Sequence, residues 1–453
     1  MSAAITFVAF YPGHANGDTA NAYLAALDRI ITDDWVPTTN VLIFRAAFAV
    51  WRSPASVLLL QCLLMWGGLA GMTYAVNRAL STRSARYFIP LGFLPFVFPY
   101  VGALVKDSLS ATLFVAATAL LMIERVLNRR RAWLMIGALG LFWVAFLVKI
   151  SVLPAVLPIV VYISLRLCPH RGRRGAWLIA VCSSVGGLFA LTISQSAVDD
   201  LVASEDANIQ HALEIFDLAG ITHYSGENVL GDVIVPPSQF AAITTGNCYD
   251  SRGWDSLAFG PCNFVRMNAL PIWHTDQLTR QWRDAILAHP AGYLRHRLTH
   301  FASFSLNPGT NQFYGDYVDA RLDWTPRQNV IMDFYGEVVE LSGQWPHTRP
   351  ILWETASAAI LVFLIRRPRR RRVGRFDAVL ITLMVGNILF YGAWFVVGAA
   401  SEYRYSFTVI VSCLVATAVM IVEWRSRSVA AARISGQVEG SSDPPAEIGR
   451  DPT

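Results

Sequence analysis

The chain has 453 residues, of which 54% are hydrophobic, and its mean hydropathy is +0.41. Soluble domains contain about 45–50% apolar residues, so this composition excludes an ordinary soluble protein and indicates an integral membrane protein. The formal net charge is +5, but the basic residues form short clusters between apolar runs, which is typical of membrane loops. A nucleic-acid partner is therefore not expected, whereas a lipid bilayer is.

Apolar runs of nearly spanning length recur along the chain. A transmembrane helix needs about 20 mostly apolar residues. The N-terminal run, residues 3–10, is too short and is predicted to be a truncated first helix or only its outer end. The sequence predicts an all-α, polytopic bundle of about nine to ten transmembrane helices with a large extracytoplasmic loop domain. Spans are predicted at 54–77, 88–105, 108–126, 132–148, 151–167, 176–195, 350–365, 377–398 and 406–424.

Arginine placement predicts the orientation of these spans, because cytoplasmic loops retain positive charge. Arginines cluster in every second connection, and the remaining connections are predicted to face outward. The basic clusters stand at 78–86, 125–131, 166–174, 366–375 and 425–427. The outward segments are 11–53, 106–107, 149, 196–349 and 399–405.

This alternation divides the chain into five regions. Residues 276–289 place Leu278, Trp282, Ile286 and Leu287 toward one helical face, which predicts an amphipathic helix at the membrane interface or against the bundle. The regions are a truncated first helix and first outer loop with interfacial helices (1–53), transmembrane helices (54–195), a large extracytoplasmic loop (196–349), C-terminal transmembrane helices (350–424) and a disordered cytoplasmic tail (425–453).

Two of the six cysteines lie in the large polar region. Cys248 and Cys262 can form a disulfide if that region faces an oxidising compartment, or they can remain unpaired. The other four lie in or beside apolar runs, where cysteine behaves as a small core residue.

Ionisable residues gather at the predicted outer ends of the helices. Because charge near a bilayer is costly, their placement on one side favours a site, although polar helix ends also occur without any function. Of 37 basic residues only Lys106 and Lys149 are lysines. Lys106 follows one apolar run and precedes another, which suits an ammonium that binds phosphate, whereas snorkelling to the interface explains Lys149. The group comprises Asp18, Asp33, Asp34, Lys106, Asp107, Lys149, Glu402 and Arg404.

Short motifs stand in order along these segments: Tyr11-Pro12-Gly13 followed by Asp18, Asp34-Trp35-Val36-Pro37, Lys106-Asp107, His289-Pro290 with Tyr293, Leu294 and Arg297, and Tyr403-Arg404-Tyr405. Together these motifs resemble those of bacterial members of the GT-C superfamily, the multi-spanning glycosyltransferases. The resemblance covers most of residues 11–410, and no motif is diagnostic by itself.

The resemblance implies an inverting transfer of a sugar from a polyprenyl-phosphate donor to a glycan, lipid or protein acceptor of the cell envelope. The enzyme would lie in the bacterial inner membrane with its site facing the periplasm or exterior. Asp18 matches the general base of the first outer loop, and Asp34 is the reserve candidate or an orienting partner. Asp107 would hold Lys106 or the acceptor. The implied ligands of the donor phosphate are Lys106, Arg297 and Arg404.

The sequence departs from the family pattern in three places. The first span is nearly absent, residues 36–39 lack the usual His-Pro-Pro style continuation, and the Lys149 region lacks the usual Arg-Asn. His296 and His300 are one helical turn apart, but no third ligand stands at a recognisable spacing. No metal ligand is therefore assigned, and a divalent metal stays an open cofactor alternative. The segment of Arg295, His296, Arg297 and His300 is predicted to form a basic helix face near headgroups or donor phosphate.

Two other functions fit the same predicted topology. An O-antigen polymerase or ligase also combines many spans with a large outer loop, but it uses a lipid-linked diphosphate. A non-catalytic transporter or assembly protein of the envelope is expected to carry charged residues inside its spans. Most of the charged candidates here lie instead at predicted helix ends.

Overall fold

The computed structural model describes residues 1–28, 35–80, 84–127, 131–168, 172–203, 206–231, 237–258, 271–306, 321–325, 328–343, 345–367 and 376–439. Of the residues in these ranges, 82% are helical, and none forms a strand. The helices in chain order are α1 (Ser2–Phe10), α2 (Gly17–Asp28), α3 (Thr38–Val50), α4 (Ala55–Leu80), α5 (Phe98–Gly102), α6 (Lys106–Val126), α7 (Ala132–Val148), α8 (Leu153–Leu167), α9 (Gly172–Val202), α10 (Gln210–Ser225), α11 (Pro237–Thr244), α12 (Asp255–Ala258), α13 (Gln277–Ala288), α14 (Pro290–Leu306), α15 (Val330–Ser342), α16 (Pro350–Arg366), α17 (Asp377–Val397) and α18 (Phe407–Glu439).

Within the described part of the chain, six helical segments are long and apolar enough to cross a membrane. Helices α3 and α7 are apolar but shorter. These segments support the membrane character that the composition indicates. The six are Ala55–Leu80, Lys106–Val126, Ile150–Leu167, Gly172–Val202, Asp377–Val397 and Tyr403–Ser426.

Helix α6 lies at the centre of the bundle and α9 at its edge. In the apolar 18-residue stretch of α6, 78% of the residues are buried, whereas in the corresponding stretch of α9 only 11% are buried. Close packing on α4 helps to centre α6, because a Cβ at Gly68 would lie 2.7 Å from Cγ1 of Val115. Residues at the N-terminus of α6 are therefore held by several neighbouring helices.

Two predicted segments differ from the structure. Residues 88–105 do not form one spanning helix: the chain makes a 3₁₀ segment, Ser84–Phe93, and then the short α5. Pro90, Pro95 and Pro99 explain the break, because proline interrupts helical hydrogen bonding. The sequence predicts a disordered tail from residue 425, but α18 continues to Glu439, because an Ala-rich run favours helix there. Residues 440–453 lie outside the described ranges.

The predicted large loop contains a hydrophobic core of its own. Phe216 of α10 and Trp273 are almost fully buried in this second cluster. The amphipathic α13 contributes Leu278, which is buried, while Trp282 is partly buried against the same cluster. Leu287 is 73% exposed, so the predicted apolar face of α13 is narrower than expected. Helices α10 and α14 pack on each other, and α14 also contacts α17 of the main bundle.

Candidate functional site

Asp18 lies in the first turn of α2. The side chain of Asn16 accepts a hydrogen bond from the backbone N–H of Thr19 at 2.9 Å and so caps the helix. A carboxylate in this position is stabilised by the positive end of the helix dipole. The local sequence therefore places and stabilises the charge of Asp18.

The segment before α2 is fixed against the segment before α6. His14 donates its backbone N–H to the carbonyl of Gly102 at 3.0 Å and accepts from the N–H of Leu104 at 2.7 Å. The Thr19 hydroxyl donates to the carbonyl oxygen of the same residue, Leu104, at 2.9 Å. Asp18 is thereby anchored by long-range backbone contacts, although α1 is only 9 residues long.

Gly13 permits this close approach. Its φ of +125° is disfavoured for residues with a side chain, and a Cβ there would lie 2.5 Å from Cδ1 of Leu104. A larger residue would therefore push the Asp18 segment away from α6.

Asp18 is ion-paired with two cations from distant parts of the chain. Its Oδ2 lies 3.3 Å from Nζ of Lys106 and 3.9 Å from Nη1 of Arg404. Burial alone would raise the pKa of Asp18, but attraction by Lys106 and Arg404 outweighs it and lowers the pKa below its ordinary value. The carboxylate is therefore ionised at neutral pH, and 27% of its side chain is exposed.

A second ion pair is more deeply buried than this one. Asp107 Oδ1 is 2.5 Å from Nζ of Lys149, and both side chains are almost completely buried. Lys149 also donates to the carbonyl oxygen of Tyr405 at 3.0 Å. The interpretation of Lys149 as a snorkelling side chain is wrong, because its ammonium points into the protein and not toward the interface. The pair holds together the start of α6, the end of α7 and the 3₁₀ turn Tyr403–Ser406 that precedes α18.

Arg404 connects the two pairs. Its Nε lies 3.9 Å from Oδ2 of Asp107 and also contacts the carboxylate of Glu402. Burial raises the pKa of Glu402 above its ordinary value, while Arg404 opposes the shift. Because Arg404 interacts with acids on both sides, its guanidinium is held in one position at the cavity.

These charges border a cavity of about 1250 Å³. Asp18, Lys106 and Arg404 line it together with Lys149, and Asp255 of α12 lines it from the second hydrophobic cluster. Pockets for small ligands usually have about 300–1000 Å³, so this one accommodates a ligand larger than a typical drug molecule.

Aromatic residues form another part of the cavity lining. Trp35, Trp254 and Trp273 lie near one another, with ring centroids 5.4 Å apart for Trp35 and Trp254 and 6.4 Å apart for Trp35 and Trp273. Trp394 of α17 also lines the cavity, beside Tyr405. The cavity thus combines a charged region with broad apolar surfaces.

The structure brings together Asp18, Lys106, Asp107 and Arg404, but it places Arg297 elsewhere. Arg297 is 1% exposed, and its guanidinium donates to Oδ2 of Asp217 at 2.5 Å and to the carbonyl of Gly398 at 2.6 Å. Arg297 is not among the described residues that line the cavity, so it does not reach a ligand there. Its binding to Gly398 does hold the segment that leads to Arg404.

The predicted basic face of α14 is also corrected. His296 and His300 are fully buried, because they pack against α10 and not against a membrane surface. Oδ1 of Asp217 lies 3.1 Å from Nε2 of His296, and the carbonyl of Ser251 lies 2.7 Å from Nδ1 of His300. Arg295 instead packs on the ring of Tyr224.

Three of the predicted residues cannot be placed, whereas a fourth, Cys248, can. Asp34 and Cys262 lie outside the described ranges, as does Asp33. Cys248 is disulfide-bonded, and its side chain is buried in the second hydrophobic cluster. Among the described residues, no group of three His, Cys, Asp or Glu side chains is arranged to hold a metal ion.

Some cavity residues were not singled out from the sequence. Arg321 donates to the side-chain oxygen of Asn21 at 2.7 Å, and both residues line the cavity. Asp255 lies beside Trp254, in a polar region whose residues carry no recognisable spacing. Burial raises the pKa of Asp255, although Arg404 opposes the shift. The one sequence feature that marks Asp255 is its position next to Trp254. No sequence pattern near Asp255 indicates that it lies at the same cavity as Asp18.

No family model, curated protein or solved structure matches this chain. The chemistry of the site therefore has to be inferred from its own residues. A carboxylate that is ionised and accessible can accept a proton, and two adjacent cations can bind an anion such as phosphate. Together with the large cavity, these groups suit a reaction in which an anionic leaving group departs.

Proposed function

We propose that this chain is a membrane glycosyltransferase of the GT-C type, which transfers a sugar from a polyprenyl-phosphate donor to an envelope acceptor. The observation that carries the proposal is the shared cavity of Asp18, Lys106 and Arg404. In it, Asp18 Oδ2 lies 3.3 Å from the ammonium of Lys106 and 3.9 Å from the guanidinium of Arg404. A proton acceptor and an anion-binding pair are thus placed side by side.

In the proposed reaction, Asp18 accepts the proton of an acceptor hydroxyl as that oxygen attacks the anomeric carbon. The new glycosidic C–O bond forms on the face opposite the donor phosphate, while the bond between the anomeric carbon and the phosphate oxygen breaks. The configuration at the anomeric carbon is thereby inverted. Polyprenyl phosphate leaves with the electron pair of the broken bond.

Lys106 and Arg404 stabilise the charge that develops on the departing phosphate. Before the donor binds, both cations are paired with Asp18 and keep its pKa low. A bound phosphate takes over part of their charge, which raises the pKa of Asp18 and makes it a stronger base. Donor binding and activation of the base are therefore coupled in this proposal.

The placement of other ion pairs supports a site on the outer face of the bundle. Arg166 pairs with Glu124 near the C-terminal ends of α8 and α6. Arg367, at the end of α16, pairs with Asp377 at the start of α17 and with Glu423 of α18. These pairs lie at the helix ends opposite to Lys106 and Arg404. They coincide with the arginine-rich connections, which by the positive-inside rule face the cytoplasm. We accordingly propose that the enzyme lies in the bacterial inner membrane and that the cavity opens toward the periplasm or exterior.

Substitution of Asp18 tests the proposal. We expect Asp18→Asn to lower sugar transfer from polyprenyl monophosphate donors by about 10²- to 10⁴-fold, because the amide cannot accept the proton. The measurement is transfer of radiolabelled sugar in membranes that contain equal amounts of the full-length variant and wild type. Asp284→Asn is the matched control, since Asp284 is an exposed acid of α13 whose side chain is 67% exposed.

Three outcomes would contradict the proposal. Unchanged transfer by Asp18→Asn would remove Asp18 as the base. Transfer from diphosphate donors but not from monophosphate donors would favour an O-antigen polymerase or ligase. Wild-type protein that is folded and transfers sugar from neither donor class would favour a transporter or assembly protein.

A further inference from the structure

The tryptophans of the cavity come from segments far apart in the chain. Trp35 precedes α3, Trp254 precedes α12, and Trp273 belongs to the 3₁₀ turn Pro271–His274. We call these three residues the tryptophan wall. It faces the same cavity as Asp18 and Lys106, so a ligand bound to the cations extends toward it.

Two members of the tryptophan wall are fixed by hydrogen bonds. The indole N–H of Trp273 donates to the carbonyl of Ala207 at 2.9 Å, and His211 packs edge-on against the ring. The backbone N–H of Trp254 donates to the carbonyl of Ala399 at 3.1 Å. The wall is therefore attached to the segment that leads to Arg404. Trp273 is 1% exposed and supports the wall from the protein interior, so the pre-formed surface open to a ligand is that of Trp35 and Trp254, which are only partly buried.

Polar side chains border the tryptophan wall. Asp255 follows Trp254 directly, and Gln210 and Asn21 line the same cavity. A sugar ring has one face of C–H groups and an edge of hydroxyl groups. Indole rings cover the apolar face with little loss of side-chain entropy, while carboxylate and amide groups bind the hydroxyl groups.

We propose that the tryptophan wall, with Asp255 at its edge, is a subsite for a neutral sugar ring. This inference rests on the proposed glycosyltransferase function, because it supplies the place for a ring next to the phosphate ligands. The ring could be the sugar of the donor or a sugar of the acceptor, and both share the same chemistry. The subsite determines which sugars enter, whereas Lys106 and Arg404 bind any prenyl phosphate.

Binding to the purified full-length protein tests the subsite. The donor arm compares farnesyl phosphate with farnesyl phosphate that carries glucose, mannose or arabinose, and the acceptor arm uses the methyl glycosides of the same sugars. We expect at least one sugar to increase affinity about 3- to 10-fold in the donor arm, or to bind measurably in the acceptor arm. The arm that responds identifies the source of the ring.

Trp254→Leu should remove that gain while farnesyl phosphate alone still binds as in the wild type. Trp35→Leu is a second variant in a separate segment, and the unfolding temperature shows whether each variant is folded. The control is Trp345→Leu, because Trp345 is 60% exposed and is not among the described residues that line the cavity.

The outcomes separate this inference from the proposed function. If no sugar contributes in either arm, or if Trp254→Leu and Trp35→Leu behave like Trp345→Leu, the subsite is wrong. If farnesyl phosphate does not bind but a methyl glycoside binds through Trp254, the subsite stands and the polyprenyl-phosphate donor is wrong.

Discussion

Asp18 and Asp217 are both acids that contact two basic residues, but their surroundings differ. Asp18 pairs with Lys106 and Arg404, and 27% of its side chain is exposed to the cavity. Asp217 is fully buried, and its carboxylate is bound by Arg297, His296 and the indole N–H of Trp282. The same pairing chemistry thus occurs once beside an open cavity and once in a sealed core.

This difference separates a candidate reactive group from a structural one. A proton acceptor must reach its substrate, and only Asp18 of the two borders a space that a substrate can enter. Asp217 instead links α10 to α14, and Arg297 extends the link to Gly398. We therefore expect substitutions at Asp18 to change activity and substitutions at Asp217 to change stability.

The largest expected stability effect is at Asp217. Asp217→Asn leaves the guanidinium of Arg297 buried without its counter-charge, which costs about 3–5 kcal/mol when a buried pair is broken. The measurement is chemical or thermal unfolding of the purified protein in detergent, followed by tryptophan fluorescence.

The double variant Asp217→Asn/Arg297→Met is the control for this explanation. It removes the unpaired charge and should recover part of the loss. If the double variant is as unstable as the single one, shape and not charge accounts for the effect. An equal loss of stability in Asp18→Asn would abolish the distinction between the two regions.

The two regions should also respond to different pH ranges. Burial lowers the pKa of His300 to about 4, against an ordinary value of 6.5. The unfolded chain binds that proton first, so the stabilisation is complete above pH 6.5 and is lost as the pH falls toward 4. At about 1.4 kcal/mol for each pKa unit between the two values, His300 accounts for about 3–4 kcal/mol of this loss. Burial also lowers the pKa of His296, in the same direction.

Asp18 behaves differently because its pKa is lowered from 3.8. The contribution of Asp18 to the free energy of unfolding is present above pH 3.8, and it is lost only as the pH falls through the lower pKa of the folded state. Unfolding measured between pH 7 and 4 should therefore show a decline that is reduced in His300→Asn and retained in Asp18→Asn. If the decline in stability disappears in Asp18→Asn, the titrating group lies at the cavity and not in the core around His300.

The smallest expected effect concerns Lys106. Lys106→Gln should weaken binding of farnesyl phosphate about 10- to 100-fold, because a charge-assisted contact is lost. Lys106 also provides the largest attraction that lowers the pKa of Asp18, so the acid limb of the pH–rate profile should move to higher pH. Arg166→Gln is the control, since Arg166 pairs with Glu124 at the other end of the bundle. An unchanged acid limb in Lys106→Gln would show that Asp18 is not the titrating base.

Part of the candidate site could be predicted from the sequence, because charged clusters and apolar runs alternate along the chain. The apolar runs predict a bundle of membrane helices. The positions of the arginine clusters predict that Asp18, Lys106 and Arg404 lie at one end of that bundle. The scarcity of lysine drew attention to Lys106 and Lys149. Hydropathy alone predicts a span over residues 88–105, whereas the prolines of this segment interrupt the helix.

By itself, the sequence determined the helical membrane character and the side on which the charged residues gather, because both depend on composition and on order along the chain. The tertiary structure decided which charges meet. Lys149 binds Asp107, Arg297 binds Asp217, and Trp254 comes to lie beside Trp35, through contacts between residues that are far apart in sequence. Such contacts depend on how the helices pack, and packing is set by the shapes of many side chains together and not by any local pattern.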